Sequence, residues 1–538
     1  MRKTINLASR SPFVCPFCTV RKPTLRPLAP QQPHSRRAFT RPSFAPKPIL
    51  DIKHIIRNPG LYTQNCEDRN YKAAAPNAWK IHELAQERAQ IQNNAKDTRE
   101  AYNKLKGEIE RLQRSAQRAK KSSSNDDKDV PIKGPFEAEL SELLSHAKAF
   151  KEEMSKVTEQ EKSIEDEIQE LALALPNLSS VHTPVGDEAE VLEIIQRTSP
   201  HTNTTSKSHV DIGLSLSILD FSASATTSGW GFYFLKNEGA LLEQALIQYT
   251  LHLLRTAGWT IVAPPSIVYT HIAAACGFQP RDQNDEQQIY HLQQPTRGLE
   301  AGDGKPGLSL AATAEIPLAG MYAGKVLQGS ELPVKMAAVS RCYRAEAGAR
   351  GVDTKGLYRV HEFSKVEMFA WTMPDERGVE HFDTAGMDGT DGAAQSSGHS
   401  HSAAIFDEIV TLQRKIYDSL NLSYRVMEMP TGDLGGPATR KIDIEAFFPS
   451  RKEVKDDGWG EITSTSICTD YQSRRLGTRV KSEAGMEFPH TVNGTAVAVP
   501  RVLAALLENG WDEATGTVEV PEVLTGWMGG IERIGGAK

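Results

Sequence analysis

Two heptad-spaced apolar runs, divided by a polar breaker, leave the N-terminal third of this chain little to become except a helical hairpin. The first run starts near Asn77 and carries Leu84, Ile91, Tyr102, Leu105, Ile109 and Leu112. The second carries Leu140, Leu143, Ala147, Phe150, Met154, Val157, Ile164, Ile168 and Leu171, and stops before Pro176. Steps of about three, four and seven residues line apolar side chains along one helical seam. Between the runs, Ser122–Pro135 is rich in Ser, Asp, Gly and Pro and extends neither helix. Long helices joined by such a loop pair antiparallel. Charge agrees: residues 104–121 hold seven Lys or Arg against Glu108 and Glu110, while 137–170 hold eleven acids against four lysines. The basic flank suits a phosphate backbone. Pattern alone leaves open a solvated face on a dimerisation coil. A short helical segment from Leu50-Asp51 to the Asn58-Pro59-Gly60 break precedes the arm.

At 538 residues the chain is too long for one core, so two or three units are expected. No run approaches the roughly eighteen apolar residues of a membrane span. Residues 1–50 carry ten Lys or Arg and no acid, within a net charge of −6, which leaves −16 on the rest. A nucleic-acid partner must therefore meet a local basic patch. An Arg-rich, acid-free leader over 1–46 has the composition of a mitochondrial transit peptide, and the expected location is the matrix. A basic arm touching RNA is the alternative. Cys15-Pro-Phe-Cys18 has no second pair to complete a zinc site and reads as incidental.

From about Pro184 aromatics, glycines and β-prone runs appear, with helical stretches such as Ala240–Ala257. This reads as one α+β domain over 179–538, following an arm at 50–178. Two segments look inserted: Gly298–Gly307, and Thr372–Ser402, a Gly/Ser/Asp/His-rich stretch expected to be disordered. Four segments then stand out in order. They are Thr313-Ala314-Glu315; Ser340–Gly348 continuing to Phe369; Glu461-Ile462-Thr463-Ser464; and Asn493–Glu508. Residues 339–345 and 358–370 are strand-like, with Arg344 and Arg359 on the two strands and Glu346 opening the loop between. An arginine on a rigid strand suits a phosphate, because its planar, permanently charged fork bonds two oxygens at once. Arg501 enters the apolar run Val502–Leu507 as a possible second clamp or as a solvated helix start.

The ordered set resembles the seryl-tRNA synthetases of class II: a coiled-coil arm, TAE, R-[SA]-E-A-G with a loop and V-H-Q-F-x-K-V-E, E-I-x-S, and N-G-[ST]-x-x-A-x-x-R. The resemblance covers residues 50 to about 527. It implies an α+β catalytic domain on an antiparallel sheet, preceded by an antiparallel helical hairpin. It also implies ATP-dependent activation of L-serine to seryl-adenylate, followed by transfer to tRNA(Ser). Arg344 would hold the α-phosphate, Glu346 the adenine amino group, and Phe363 would stack on adenine, with Ala345, Val360, His361 and Glu362 beside them. Arg501 would face it and reach the γ-phosphate. Glu461 and Ser464, flanking Ile462 and Thr463, would ligate Mg²⁺. Thr313, Ala314, Glu315, Glu367 and Thr495 would line the serine pocket. Arg350 and Lys355 would meet the acceptor end. The basic flank, Lys104, Lys106, Arg111, Arg114 and Arg118, would meet the long variable arm of tRNA(Ser) across a homodimer. The segment 241–257 leading to Ala263-Pro264-Pro265 resembles the motif that builds the dimer interface. Glu362 stands where the family has Gln, and Pro500 where a small residue is common. Two rival readings remain: a paralogue loading a carrier protein, and a non-catalytic protein on a synthetase scaffold.

Overall fold

The computed structural model describes residues 42–122, 135–197, 207–278, 288–293, 306–345, 356–375, 400–454 and 456–536. Helices α1 (Ile52–Arg57) and α2 (Pro59–Asp68) open the chain. The Asn58-Pro59 break is a restart: Asp51 caps α1 by accepting from the His54 amide at 3.1 Å, and Pro59 occupies the first turn of α2. Proline is well placed there, since its absent N–H has no helical partner.

The arm consists of α3 (Asn77–Asn94), α4 (Lys96–Ser122) and α5 (Pro135–Leu173). The first heptad run is thus two helices, broken at Ala95. Asn93 and Asn94 are weak helix formers, and the apolar steps lapse there between Ile91 and Tyr102. α5 runs unbroken for 39 residues, about 58 Å at ~1.5 Å per residue. Ile81, Leu84, Ile164, Ile168 and Ala172 form the arm's buried base, and Leu105 and Ile109 continue the seam outward. Lys80–Glu167, Arg88–Glu165 and Arg99–Glu161 bridge the helices at 2.6, 3.2 and 2.7 Å. Such exposed pairs set register more than they stabilise, at about 0–1 kcal/mol each.

An eight-stranded sheet forms the second unit of architecture: β1 (Glu190–Ile195), β2 (Thr260–Val262), β3 (Val334–Tyr343), β4 (Glu362–Thr372), β5 (Tyr424–Glu428), β6 (Arg440–Phe447), β7 (Trp459–Thr469) and β8 (His490–Ala498). Its order is β1-β5-β6-β7-β8-β4-β3-β2. Every pair is antiparallel except β2 with β3. Helices α6 (Asn237–Thr256), α7 (His401–Ser419) and α8 (Val499–Asn509) pack on one face. Strand alternation divides β4 cleanly. Val366, Met368 and Ala370 enter the helix-covered core, whereas Phe369 and Trp371 enter a second core on the opposite face. Phe363, Lys365 and Glu367 share that opposite face.

Three sequence boundaries move. The hairpin strands are 334–343 and 362–372, so Arg344 and Arg359 lie just outside them. Thr372 is the buried last residue of β4, and Ser400 caps α7 through the Ala403 amide at 3.0 Å. The expected disordered insert therefore loses both ends of 372–402, and residues 376–399 lie outside the described residues. So do residues 1–41 of the leader, residues 298–305, Glu346, Arg350 and Lys355; residues 42–46, at the leader's end, are described, and Ala45 is buried. Among the described residues, no helix is long and apolar enough to cross a membrane.

Candidate active site

The site is built where β4, β7 and β8 run side by side. Backbone pairing carries the β3–β4 hairpin beyond its strands: the Arg344 amide donates to His361 O at 2.9 Å, and His361 Nδ1 lies 2.8 Å from Arg344 O. This aligns Arg344 with β4, and its guanidinium sits 5.4 Å from the Phe363 ring centroid. Arg501, in the first turn of α8, lies 143 residues beyond Tyr358. Its Nε donates to Tyr358 O at 3.2 Å, its Nη1 to Glu461 O at 3.2 Å, and the same nitrogen is 3.1 Å from Glu461 Oε1. The Arg501 guanidinium also lies over the Tyr358 ring, 4.7 Å from its centroid.

Arg344, Tyr358, Arg359, Val360, Phe363, Pro500 and Arg501 line a single open cleft of ≈ 540 Å³. Three arginines and two aromatic side chains thus line one cavity. That arrangement suits a flat ring carrying phosphates. Burial opposes ionisation of Glu461, but Arg501, Lys441 and Arg344 outweigh it and hold its carboxyl down at about 2.

Next along β4 comes a more enclosed, polar region. Lys365 Nζ lies 2.5 Å from Glu367 Oε2, and both side chains are almost wholly buried. Thr495, directly across from Glu367 in β8, donates its hydroxyl to Oε2 at 3.2 Å. Glu315 opens a short helix, Glu315–Gly320, after Thr313 and Ala314, both buried. Gln472 Nε2 donates to Glu315 Oε1 at 2.8 Å, and Asn493 Nδ2 to Oε2 at 3.2 Å. Burial first, then the Glu367 charge, pushes the Glu315 carboxyl up to about 7, against Lys365 and the Gln472 hydrogen bond. Glu315 and Asn493, with Cys276, Lys441, Ser466 and Cys468, line a cavity of ≈ 810 Å³. Phe363 and Glu367 are four residues apart on one strand face, about 13 Å at ~3.3 Å per residue. The two parts of the site are thereby set one small molecule's length apart.

The structure treats the proposed metal ligands unequally. Ile462 enters the core, and the Thr463 hydroxyl donates to Thr495 O and accepts from Gln413 at 3.0 Å. Ser464 lies across from Asp443 in register. Asp443 is buried, and its Oδ1 has no hydrogen-bond partner among the described residues. Glu461, Ser464 and this orphaned oxygen are hard donors of the type Mg²⁺ prefers. No cluster of three or more His, Cys, Asp or Glu that could hold a metal occurs among the described residues.

Glu362 resolves its own puzzle. It faces away from Phe363, across the sheet, where Arg341 Nε lies 3.6 Å from its Oε1. Arg341 in turn reaches Glu243 of α6 at 3.7 Å. The extra negative charge therefore stays off the face that carries Phe363.

Residues 49–179 match the seryl-tRNA synthetase N-terminal domain. Residues 300–385 and 386–510 match the tRNA synthetase class II core domain (G, H, P, S and T). The chain is 37% identical over 502 residues to the mitochondrial serine–tRNA ligase of Saccharomyces cerevisiae, spanning 92% of this chain and 98% of that protein. The chain belongs to the seryl-tRNA synthetase family. The mitochondrial serine–tRNA ligase of Schizosaccharomyces pombe is 34% identical, over 89% of this chain and 88% of that one. A crystal structure of Pyrococcus horikoshii seryl-tRNA synthetase complexed with ATP superposes with a TM-score of 0.72 at 28% identity, covering 91% of this chain and all of that one. The class II fold expected from the motifs is the fold present.

Several groups of this synthetase site gave no local signal in the sequence. Tyr358 and Gln472 act through partners more than a hundred residues away, whereas Asn493 heads the last of the four segments. Lys365 was more accessible, because Phe363, Lys365 and Glu367 alternate on one strand face.

Proposed function

We propose that the chain joins L-serine to tRNA(Ser) in two steps, with ATP held at Arg344, Phe363 and Arg501 and serine at Glu315, Glu367 and Thr495. The observation that carries this reading is the convergence of Arg344 and Arg501 on one cleft. Serine's carboxylate is ionised at neutral pH, so its attack on the α-phosphorus needs no general base. Arg344 and Arg501 orient the triphosphate and balance its developing charge. Mg²⁺, held by Glu461 and Ser464, supplies further charge neutralisation when bound. Pyrophosphate leaves, and the terminal ribose hydroxyl of the tRNA then attacks the activated carbonyl, breaking the acyl–phosphate bond and releasing AMP. The decisive assay is ATP–pyrophosphate exchange screened over all the proteinogenic amino acids, followed by charging of mitochondrial and cytosolic tRNA pools. Exchange dependent on another amino acid would refute the assignment.

Glu315 gives the serine step a pH signature. Its carboxyl lies at about 7, so acid removes the charge that would receive serine's ammonium. kcat/KM for serine should fall as pH drops below about 7 and level off above it, because that ratio reports the free enzyme. A flat profile from mildly acidic to mildly alkaline buffer would contradict this role.

On the arm, Lys104, Lys106, Arg111 and Arg114 are exposed, and the Arg118 side chain lies outside the described residues. Replacing the four by Ala should weaken tRNA charging about tenfold or more at moderate salt, since each lost phosphate contact reduces binding. Adenylate formation should stay near wild type. Equal loss of both would argue against this division of labour.

The arm acts on a partner's active site in a homodimer. Leu241 of α6 and Ile261 of β2, the last strand of the sheet among the described residues, are exposed, apolar surface that suits burial against a second copy. The acid-free leader and the two mitochondrial relatives support a matrix location. Cytosolic retention of a reporter carrying residues 1–46 would count against it.

A further inference from the structure

The mechanism above uses Arg501 but does not explain what places it. Its Nε is held by Tyr358 O and its face by the Tyr358 ring. Tyr358 follows Gly356 and Leu357, the first described residues after position 345. Whatever fixes Leu357 and Tyr358 therefore fixes the seat of Arg501.

The anchor is a buried histidine. His209 opens the helix His209–Ser215, and its Nε2 accepts the Leu357 N–H at 3.1 Å. Its Nδ1 lies 2.8 Å from Glu508 Oε1, and its own amide donates to the same oxygen at 3.0 Å. The carboxylate can only accept from Nδ1–H, so Nε2 is left bare to receive Leu357. Glu508, on α8 two turns beyond Arg501, is itself 1% exposed. It also accepts from the Ser450 amide at 3.1 Å and hydroxyl at 2.9 Å. The next residue, Arg451, packs on the same ring: its guanidinium is 4.4 Å from the Tyr358 centroid. One carboxylate thus braces Tyr358 by two routes. The fit at the joint is close. Gly356 has φ +75°, and a Cβ there would stand 2.3 Å from His209 Nε2.

We propose that His209 and Glu508 form a positioning pair for the nucleotide cleft, fixing Leu357 and Tyr358 and through them the placement of Arg501. Neither residue touches the cleft, so neither is catalytic. The proposal rests on the reading of that cleft as the ATP site.

The test uses the full chain, with ATP–pyrophosphate exchange measured by varying ATP at saturating serine and the reverse. His209→Leu removes both hydrogen bonds. The KM for ATP should rise about tenfold or more, in line with the cost of small misplacements, with the KM for serine unchanged. His209→Gln offers an oxygen to Leu357 and an amide to Glu508, and should return the KM for ATP to within about threefold of wild type. Should His209→Leu fail to fold, Gly356→Ala decides, since it displaces the same joint while leaving both partners intact. Its KM for ATP should rise alone. An unchanged KM for ATP in folded His209→Leu or Gly356→Ala overturns the proposal. So does an equal rise for both substrates that Gln does not rescue, which marks a merely structural role. A wild-type chain that binds ATP in calorimetry but activates another amino acid sinks the serine reading and leaves the pair to be judged on ATP binding.

Discussion

Arg501→Ala is expected to lower serine-dependent ATP–pyrophosphate exchange by about 10²–10³-fold, the usual cost of removing one preorganised charge from a developing anion. Three fixed contacts hold this guanidinium: Tyr358 O, Glu461 O and Glu461 Oε1. It therefore meets the nucleotide without reorganising. Arg501→Lys keeps the charge but not the fork and should recover only part of the rate. Steady-state kinetics of the two variants checks both points. A rate within about threefold of wild type would remove Arg501 from the mechanism.

Glu367→Ala should have an effect of similar size but opposite character. It should cut serine-dependent exchange about 10³-fold while leaving any exchange with alanine nearly unchanged. A site that hydrogen-bonds a substrate hydroxyl can discriminate by about 10⁴-fold, because the analogue leaves buried polar groups unpaired. In the variant, Lys365 and the Thr495 hydroxyl both lose Glu367. Breaking a buried ion pair costs about 3–5 kcal/mol, so a lower melting temperature is expected too. Glu367→Gln separates the two effects: it keeps the volume and the hydroxyl's acceptor but not the charge. Undiminished preference for serine over alanine in Glu367→Ala would show that specificity lies elsewhere.

How much of this was legible before folding differs from segment to segment. The arm was readable because helical pairing follows local periodicity. Its one unpredicted feature, the break at Ala95, falls where the apolar steps lapse. The fold class and its motifs were readable as an ordered set of short patterns. Strand ends were less so: Thr372 and Ser402 look like part of a polar insert until β4 and α7 bury them. The direction of Glu362 was not legible either, since it depends on which face of β4 holds Phe363.

By itself, the sequence determined the helical arm, the seryl-tRNA synthetase family and the identity of the charged groups, because periodicity and short motifs are carried by neighbours in the chain. Only the tertiary structure decided that Arg344 and Arg501 share a cleft, that Glu362 answers to Arg341, that Lys365 neutralises Glu367, and that His209 reaches Leu357. Each of these is a contact between segments brought together by sheet pairing and core burial. Its energy depends on distances and desolvation that arise only when the sheet closes over its helices.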